Sequence, residues 1–224
     1  MSTTTRSPVQ RVGHKGAGEL APGNTVASFE AAVAMGIDII EFDVLRHRGR
    51  LVLAHSALDA RRRRTLGLHA GLACLAQERY AHVSFNVDLK HPGYEAEVLR
   101  ALRAAGLLDR CLISSQFARS LDRVRRIEPG VRLGISVGGW LSRRRHRWNR
   151  RVVQRLGAAI ESGRFDCLMA HHRLVTRELV GRMREAGGDV YAWTVDSRIV
   201  LDRLLATGVA GITTNDPRLF LPLR

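Results

Sequence analysis

The sequence predicts a closed (β/α)8 barrel, the TIM-barrel form of the α/β class, built as a single domain. Three observations carry this. Short apolar runs of strand character alternate with amphipathic, helix-length stretches about eight times along 224 residues. Such alternation argues for parallel sheet with helical crossovers. Eight units at this length favour closure over an open sheet, and barrels of about 200–250 residues are commonly one domain. Polar and charged residues also gather at the carboxyl ends of the expected strands, where barrel active sites lie.

In chain order, residues 1–9 read as a disordered tail and 10–224 as the barrel domain. The first strand is expected at Gln10–His14. A helix follows from Asn24-Thr25, which can cap it, with Val26, Phe29 and Val33 on one stripe and Gly36 as its stop. Ile37–Val44 is the second strand, and a short hairpin adds Leu51–His55. Residues 57–66, rich in arginine, are expected to be irregular, with a short helix over Gly67–Glu78. Val83–Lys90 is the next strand, followed by a helix over Tyr94–Ala105. Cys111–Ser115 (strand), Phe117–Ile127 (helix) and Val131–Val137 (strand) continue the pattern. The window Gly138–Arg151 is the most basic, with Trp140 and Trp148 interleaved. The series closes with helix Asn149–Ser162, strand Cys167–Ala170, helix Thr176–Ala186, strand Asp189–Val195, helix Ser197–Ala206 and strand Gly211–Thr214.

The chemistry concentrates in residues 11–55. Residues i and i+2 of a strand share a face, so Glu41 and Asp43 look the same way. Two adjacent carboxylates repel unless a cation or proton lies between them, and a divalent metal is the simplest resolution. Asn86, Asp88 and Lys90 share one face of their strand. His14 and His55 end strands on either side of the carboxylate pair. A lone strand-end histidine is ordinarily a satisfied core residue; two flanking a carboxylate pair favour acid–base work. His171 and His172 follow a strand and have a weaker claim to the site. Trp193 lies at a strand end, where core packing and ligand contact are about equally expected.

The formal net charge is +15, from 36 Lys+Arg against 21 Asp+Glu, and the only lysines are Lys15 and Lys90. Both fall among the candidate site residues, where a compact ammonium serves differently from a planar guanidinium. The basic balance implies attraction to polyanions, although a solvated arginine-rich surface accounts for it equally well. Cys74, Cys111 and Cys167 show no metal spacing and suggest a reducing compartment without disulfides. The polar N-terminus has no apolar signal core, and no apolar run approaches the roughly 20 residues of a spanning helix. The expectation is a cytoplasmic protein, at most peripheral to a membrane.

Taken in order, these motifs resemble the glycerophosphodiester phosphodiesterases. They are His14-Lys15-Gly16, Pro22-Gly23-Asn24-Thr25, Glu41-Phe42-Asp43-Val44, Leu53-Ala54-His55, Asn86-Val87-Asp88-Leu89-Lys90, Ile113-Ser114-Ser115-Gln116-Phe117, Ala192-Trp193-Thr194-Val195-Asp196 and Gly211-Ile212-Thr213-Thr214-Asn215-Asp216-Pro217. Each is weak alone; their order along nearly the whole chain is specific. The resemblance implies a metal-dependent barrel that cleaves phosphodiesters of glycerol or related alcohols. It implies that Glu41, Asp43 and Asp88 hold the metal, and an oxygen-only set suits Mg2+ or Ca2+. It implies His14 and His55 as general acid and base, Lys15 and Lys90 against the phosphate, and Trp193 against the substrate. In such enzymes a neighbouring hydroxyl of the substrate attacks phosphorus to give a cyclic phosphate.

The chain departs from the family pattern at Lys15 (usually arginine), Gly23 (glutamate), Ser56 (aspartate) and Asp88 (glutamate). The Asp-x-Lys version at Asp88 resembles relatives that act as phospholipase D or sphingomyelinase D. The segment after the second barrel strand is also shorter than the family's usual insertion, which implies a more open mouth and a bulkier lipid or polymer substrate. Two function classes follow. One is a phosphodiesterase acting on glycerophosphodiesters or lysophospholipids. The other is a catalytically impaired barrel that binds phosphate esters or an anionic membrane surface. Nucleic acid is the least favoured partner. Oligomeric state and the substrate's alcohol group are left open.

Overall fold

A computed structural model describes residues 9–138 and 150–221 of the chain. Apart from Val9, the expected tail lies outside the described residues. So do Trp140, His146 and Trp148 of the basic window.

In chain order the elements are β1 (Gln10–Gly13), α1 (Val26–Ala34), β2 (Ile39–His47), β3 (Arg50–Leu53), α2 (Ala57–Arg62), β4 (Leu66–Gly67), α3 (Leu68–Leu75), β5 (Ser84–Leu89), α4 (Glu95–Ala104), β6 (Cys111–Ser115), α5 (Ala118–Ile127), β7 (Arg132–Val137), α6 (Arg150–Glu161), β8 (Cys167–His171), α7 (Arg177–Glu185), β9 (Asp189–Trp193), α8 (Arg198–Leu205) and β10 (Gly211–Thr214). Eight strands, all but β3 and β4, pair in parallel. β1 bonds to β10 on one side and β2 on the other, which closes the barrel. The expected fold class is therefore the observed one. Where an eighth helix would follow β10, the described residues hold a single 3-10 turn, Pro217–Phe220.

The strands sort their side chains by parity. Val12, Ile39, Leu112, Cys167, Met169 and Tyr191 fill the barrel interior. Phe42, Phe85, Val87, Ile113 and Leu168 belong to the larger core shared with the helices. Interior space is matched large against small. A Cβ on Gly211 would lie 2.4 Å from the Tyr191 ring, and one on Gly134 would lie 2.9 Å from Met169. The three cysteines are buried and free.

Local chemistry sets the element ends. The Thr25 hydroxyl accepts from the Ser28 N–H, and Ser28 returns the favour to the Thr25 N–H, a reciprocal cap on α1. β2 runs beside β5 as far as Val44 and Leu89. It then continues alone into an antiparallel hairpin with β3, from Val44 opposite Leu53 to His47 opposite Arg50. The stretch expected to be irregular, 57–66, is instead a helix, α2, and the start of β4. The Ser56 side chain caps α2 by accepting from the Asp59 N–H. Ala60 packs with Leu45, Val52 and Ala54, which holds α2 on the hairpin. Its two arginines, Arg61 and Arg62, stand exposed on its outer side.

Candidate functional site

The site lies at the carboxyl ends of β1, β2 and β5. After β1 the chain turns sharply through Lys15 (φ +54°) and Gly16 (φ +84°). A side chain on Gly16 would meet Ser28 backbone atoms at 2.6 Å, so glycine is required both by conformation and by space. The turn aims the Lys15 N–H at Glu41 Oε2, 2.8 Å away. Glu41, Asp43 and Asp88 point inward, as their parity dictates, and offer oxygens within 4.8 Å of one another.

Each carboxylate is held differently. Asp43 is fully buried; Asn24 Nδ2 donates to its Oδ2 at 2.8 Å and Asn24 Oδ1 accepts its backbone N–H at 3.0 Å. Asp88 accepts from Ser114 Oγ at 2.8 Å. Lys90 Nζ lies 2.5 Å from both Asp43 Oδ1 and Asp88 Oδ2. Lys90, expected against the phosphate, is thus paired here with two of the carboxylates. Burial opposes ionisation of Asp43, but the Lys90 charge and the His55 contact outweigh it and hold its pKa below the usual carboxylate range. Lys90 is raised by the charges of Asp88 and Asp43 despite its burial.

Glu41 is the exception. Burial, then the charge of Asp43, push its pKa well above the carboxylate range. Its nearest cationic candidate is His14 Nε2 at 4.0 Å. A buried carboxyl group short of positive charge, beside two others in an oxygen-only set, fits a hard divalent cation such as Mg2+ or Ca2+.

His14 is fixed by a chain of partners. Asn215 donates through its N and Nδ2 to Asp196, at 2.9 and 2.7 Å. A carboxylate accepts only, so the Asn215 Oδ1 must face His14 Nδ1, 2.6 Å away. The ring proton then sits on Nδ1, and the Nε2 lone pair faces Glu41. Burial, then the positive charge of Lys15, lower the His14 pKa to about 4. His55 is exposed at the mouth, with Nδ1 3.5 Å from Asp43 Oδ2 and its backbone N–H on Asp59 Oδ2 at 3.1 Å.

Two further candidates stand apart. The Lys15 side chain lies across Gly23, where a Cβ would come within 2.9 Å of the Lys15 Cβ, and among the described residues it forms no ion pair. Lys15 and Gly23 therefore depart from the family pattern as a packed pair. Trp193 ends β9, edge-on to His171 at 5.4 Å between ring centroids. His171 Nδ1 accepts from the Arg173 N–H at 3.3 Å. His172 is lowered to about 4, by burial first and then by His171.

The sequence reading assigned Asn24 only a helix-capping role, and none in the site to Asn24, Asn215 or Asp196. Asn24 carried a signal: it sits in a Pro-Gly-Asn-Thr turn, and its φ of +60° is one that asparagine tolerates. Asn215 follows Thr213 at strand parity, one strand from His14, which placed it in the mouth once β10 was set beside β1.

The chain matches the model of the glycerophosphoryl diester phosphodiesterase family over residues 14–68 and 79–219. A glycerophosphodiester phosphodiesterase of Caldanaerobacter subterraneus subsp. tengcongensis is 25% identical over 245 residues, covering 95% of this chain and 96% of the relative. A glycerophosphodiester phosphodiesterase structure from Parabacteroides distasonis superposes with a TM-score of 0.76 at 17% identity, covering 95% of each chain. An Oleispira antarctica phosphodiesterase in complex with the product sn-glycerol-3-phosphate does so with a TM-score of 0.74 at 20% identity, covering 93% of this chain and 94% of that one. With the family model spanning most of a chain that folds as this barrel, the protein belongs to the glycerophosphoryl diester phosphodiesterase family, a family of phosphoric diester hydrolases.

Proposed function

We propose that the protein hydrolyses glycerophosphodiesters, or lysophospholipids, to an alcohol and a glycerol phosphate by metal-dependent histidine catalysis. One observation carries this: Glu41, Asp43 and Asp88 converge beside an oriented, neutral His14 at the barrel mouth. Glu41, Asp43 and Asp88 would hold Mg2+ or Ca2+. Bound there, the cation would supply Lewis-acid polarisation of a phosphoryl oxygen. His14 acts as base: its Nε2 lone pair takes the proton of the attacking hydroxyl, and Asn215 holds the resulting imidazolium through Nδ1–H. His55, exposed beside Asp43, returns a proton to the leaving alcohol. Lys15 and Lys90 balance the phosphate's charge, and Trp193 packs against the substrate. Water then completes the hydrolysis, so the net reaction adds one water across the P–O bond.

A second reading, a barrel that binds phosphate esters without turnover, draws on Lys90, whose ammonium already bridges Asp43 and Asp88. One assay separates the two. Phosphorus NMR would follow glycerophosphocholine, glycerophosphoethanolamine, lysophosphatidylcholine and sphingomyelin with Mg2+, Ca2+ or EDTA. Metal-dependent cleavage that disappears in His14→Ala supports the hydrolase. Substrate binding by folded protein, with no cleavage under any metal, supports the binding barrel.

A further inference from the structure

The crossover between β2 and β5 carries charge that the site does not use. From Val44 to Gln77 it holds seven arginines and one acidic residue, Asp59. Arg63 already engages Asp59, and Arg46 pairs with Glu97 on α4. Among the described residues, Arg48, Arg50, Arg61, Arg62 and Arg64 are exposed without a carboxylate in ion-pair reach. All five lie toward the mouth end. The hairpin continues β2 past its last pairing with β5, and α2 is pinned to the hairpin through Ala60. Burying Ala60 turns the opposite face of α2 outward. That face sets Leu58, 54% exposed, beside Arg61 and Arg62 at i+3 and i+4. His55 lies two residues before this helix.

An unneutralised cluster of this density draws a polyanionic surface. Two kinds fit the charge. Single-stranded nucleic acid is gripped by stacking bases on aromatic side chains, and residues 45–70 contain no Phe, Tyr or Trp. An apolar side chain framed by arginines matches the headgroup boundary of a bilayer. We propose that this arginine rim docks the barrel mouth on an anionic phospholipid surface, with Arg48, Arg50, Arg61, Arg62 and Arg64 among the headgroup phosphates and Leu58 at the acyl boundary. The proposal adds a partner to the phosphodiesterase reading, on which its biological sense rests, because it brings the mouth to a lipid phosphodiester.

The test is co-sedimentation of the full chain with phosphatidylcholine vesicles, with and without phosphatidylglycerol, at low and high salt. Each arginine near an anionic leaflet is expected to contribute about fivefold. The double reversals Arg48→Glu/Arg50→Glu and Arg61→Glu/Arg62→Glu should therefore each weaken binding by roughly 25-fold or more. Leu58→Ser should weaken it further, without a change in charge. The same charge change on the outer helices, Arg100→Glu/Arg155→Glu, should have little effect. Circular dichroism confirms that each variant is folded. The proposal is overturned by no binding to anionic vesicles, by equal binding to neutral ones, or by equal weakening in the control. Preferential capture of duplex DNA through the same arginines also overturns it. Hydrolysis of water-soluble glycerophosphocholine should be unchanged in the rim variants. Vesicle binding is read without turnover, so failure of the hydrolase reading and failure of the docking surface are separate results.

Discussion

Glu41 and Asp43 stand two residues apart on one strand yet carry opposite electrostatic burdens. Asp43 has Lys90, His55 and Asn24 against it; Glu41 has one backbone N–H and a distant imidazole. Glu41→Gln should therefore abolish divalent-metal binding in calorimetry and cut turnover by at least about 100-fold, or ~2.7 kcal/mol of barrier. Normal metal-free activity in that variant would sink the mechanism. Asp196 acts through another residue. In Asp196→Asn the acceptor that fixes the Asn215 amide becomes ambiguous, and the His14 tautomer is no longer imposed. The expected loss is on the order of 10–100-fold, the usual scale for a lost orienting partner. It should fall on kcat rather than KM. The convergence of Glu41, Asp43 and Asp88, with Lys90 on the face of Asp88, was legible from strand parity, whereas His14 and His55 were reached through their strand-end positions and the family resemblance. Asn215 and Asp196 were not, because their roles depend on a hydrogen bond between residues 201 positions apart.

At the level of elements, α2 shows how composition misleads. Four consecutive arginines read as a solvated loop, but a six-residue helix forms from an N-cap and one buried alanine. Ser56 stands where the family pattern has aspartate, and it supplies that cap. Ser56→Ala should cost α2 about 1 kcal/mol, seen as faster hydrogen exchange over 57–62 with the barrel strands unaffected. Because His55 lends its backbone N–H to Asp59 of this helix, a frayed α2 should also loosen the mouth-side histidine. The other helices and the eight barrel strands were legible from period and spacing, since each buries a full face against its neighbours.

For the molecule as a whole, interior fit and proton balance set the margins. Gly211→Val would drive a side chain into the Tyr191 ring, and overpacking of this kind costs about 1–3 kcal/mol, measurable by urea unfolding. His14 and His172 have folded pKa values of about 4, below the roughly 6.5 of a free imidazole. The unfolded chain therefore binds more protons between these values. Stability should be full above about pH 6.5 and fall as pH drops toward 4, with a shallower decline in His172→Asn. Melting midpoints across that range are the check. The seam between β1 and β10 has a consequence of its own. Gln10 through Gly13 bond to Gly211 through Thr214, and His14, the proposed base, is oriented from Asn215. Without β10 the edge of β1 has no partner on that side and the barrel cannot close. A chain cut before Gly211 should leave His14 without Asn215 and hydrolyse nothing, so the proposed base depends on a contact across the closing seam rather than on any single βα unit.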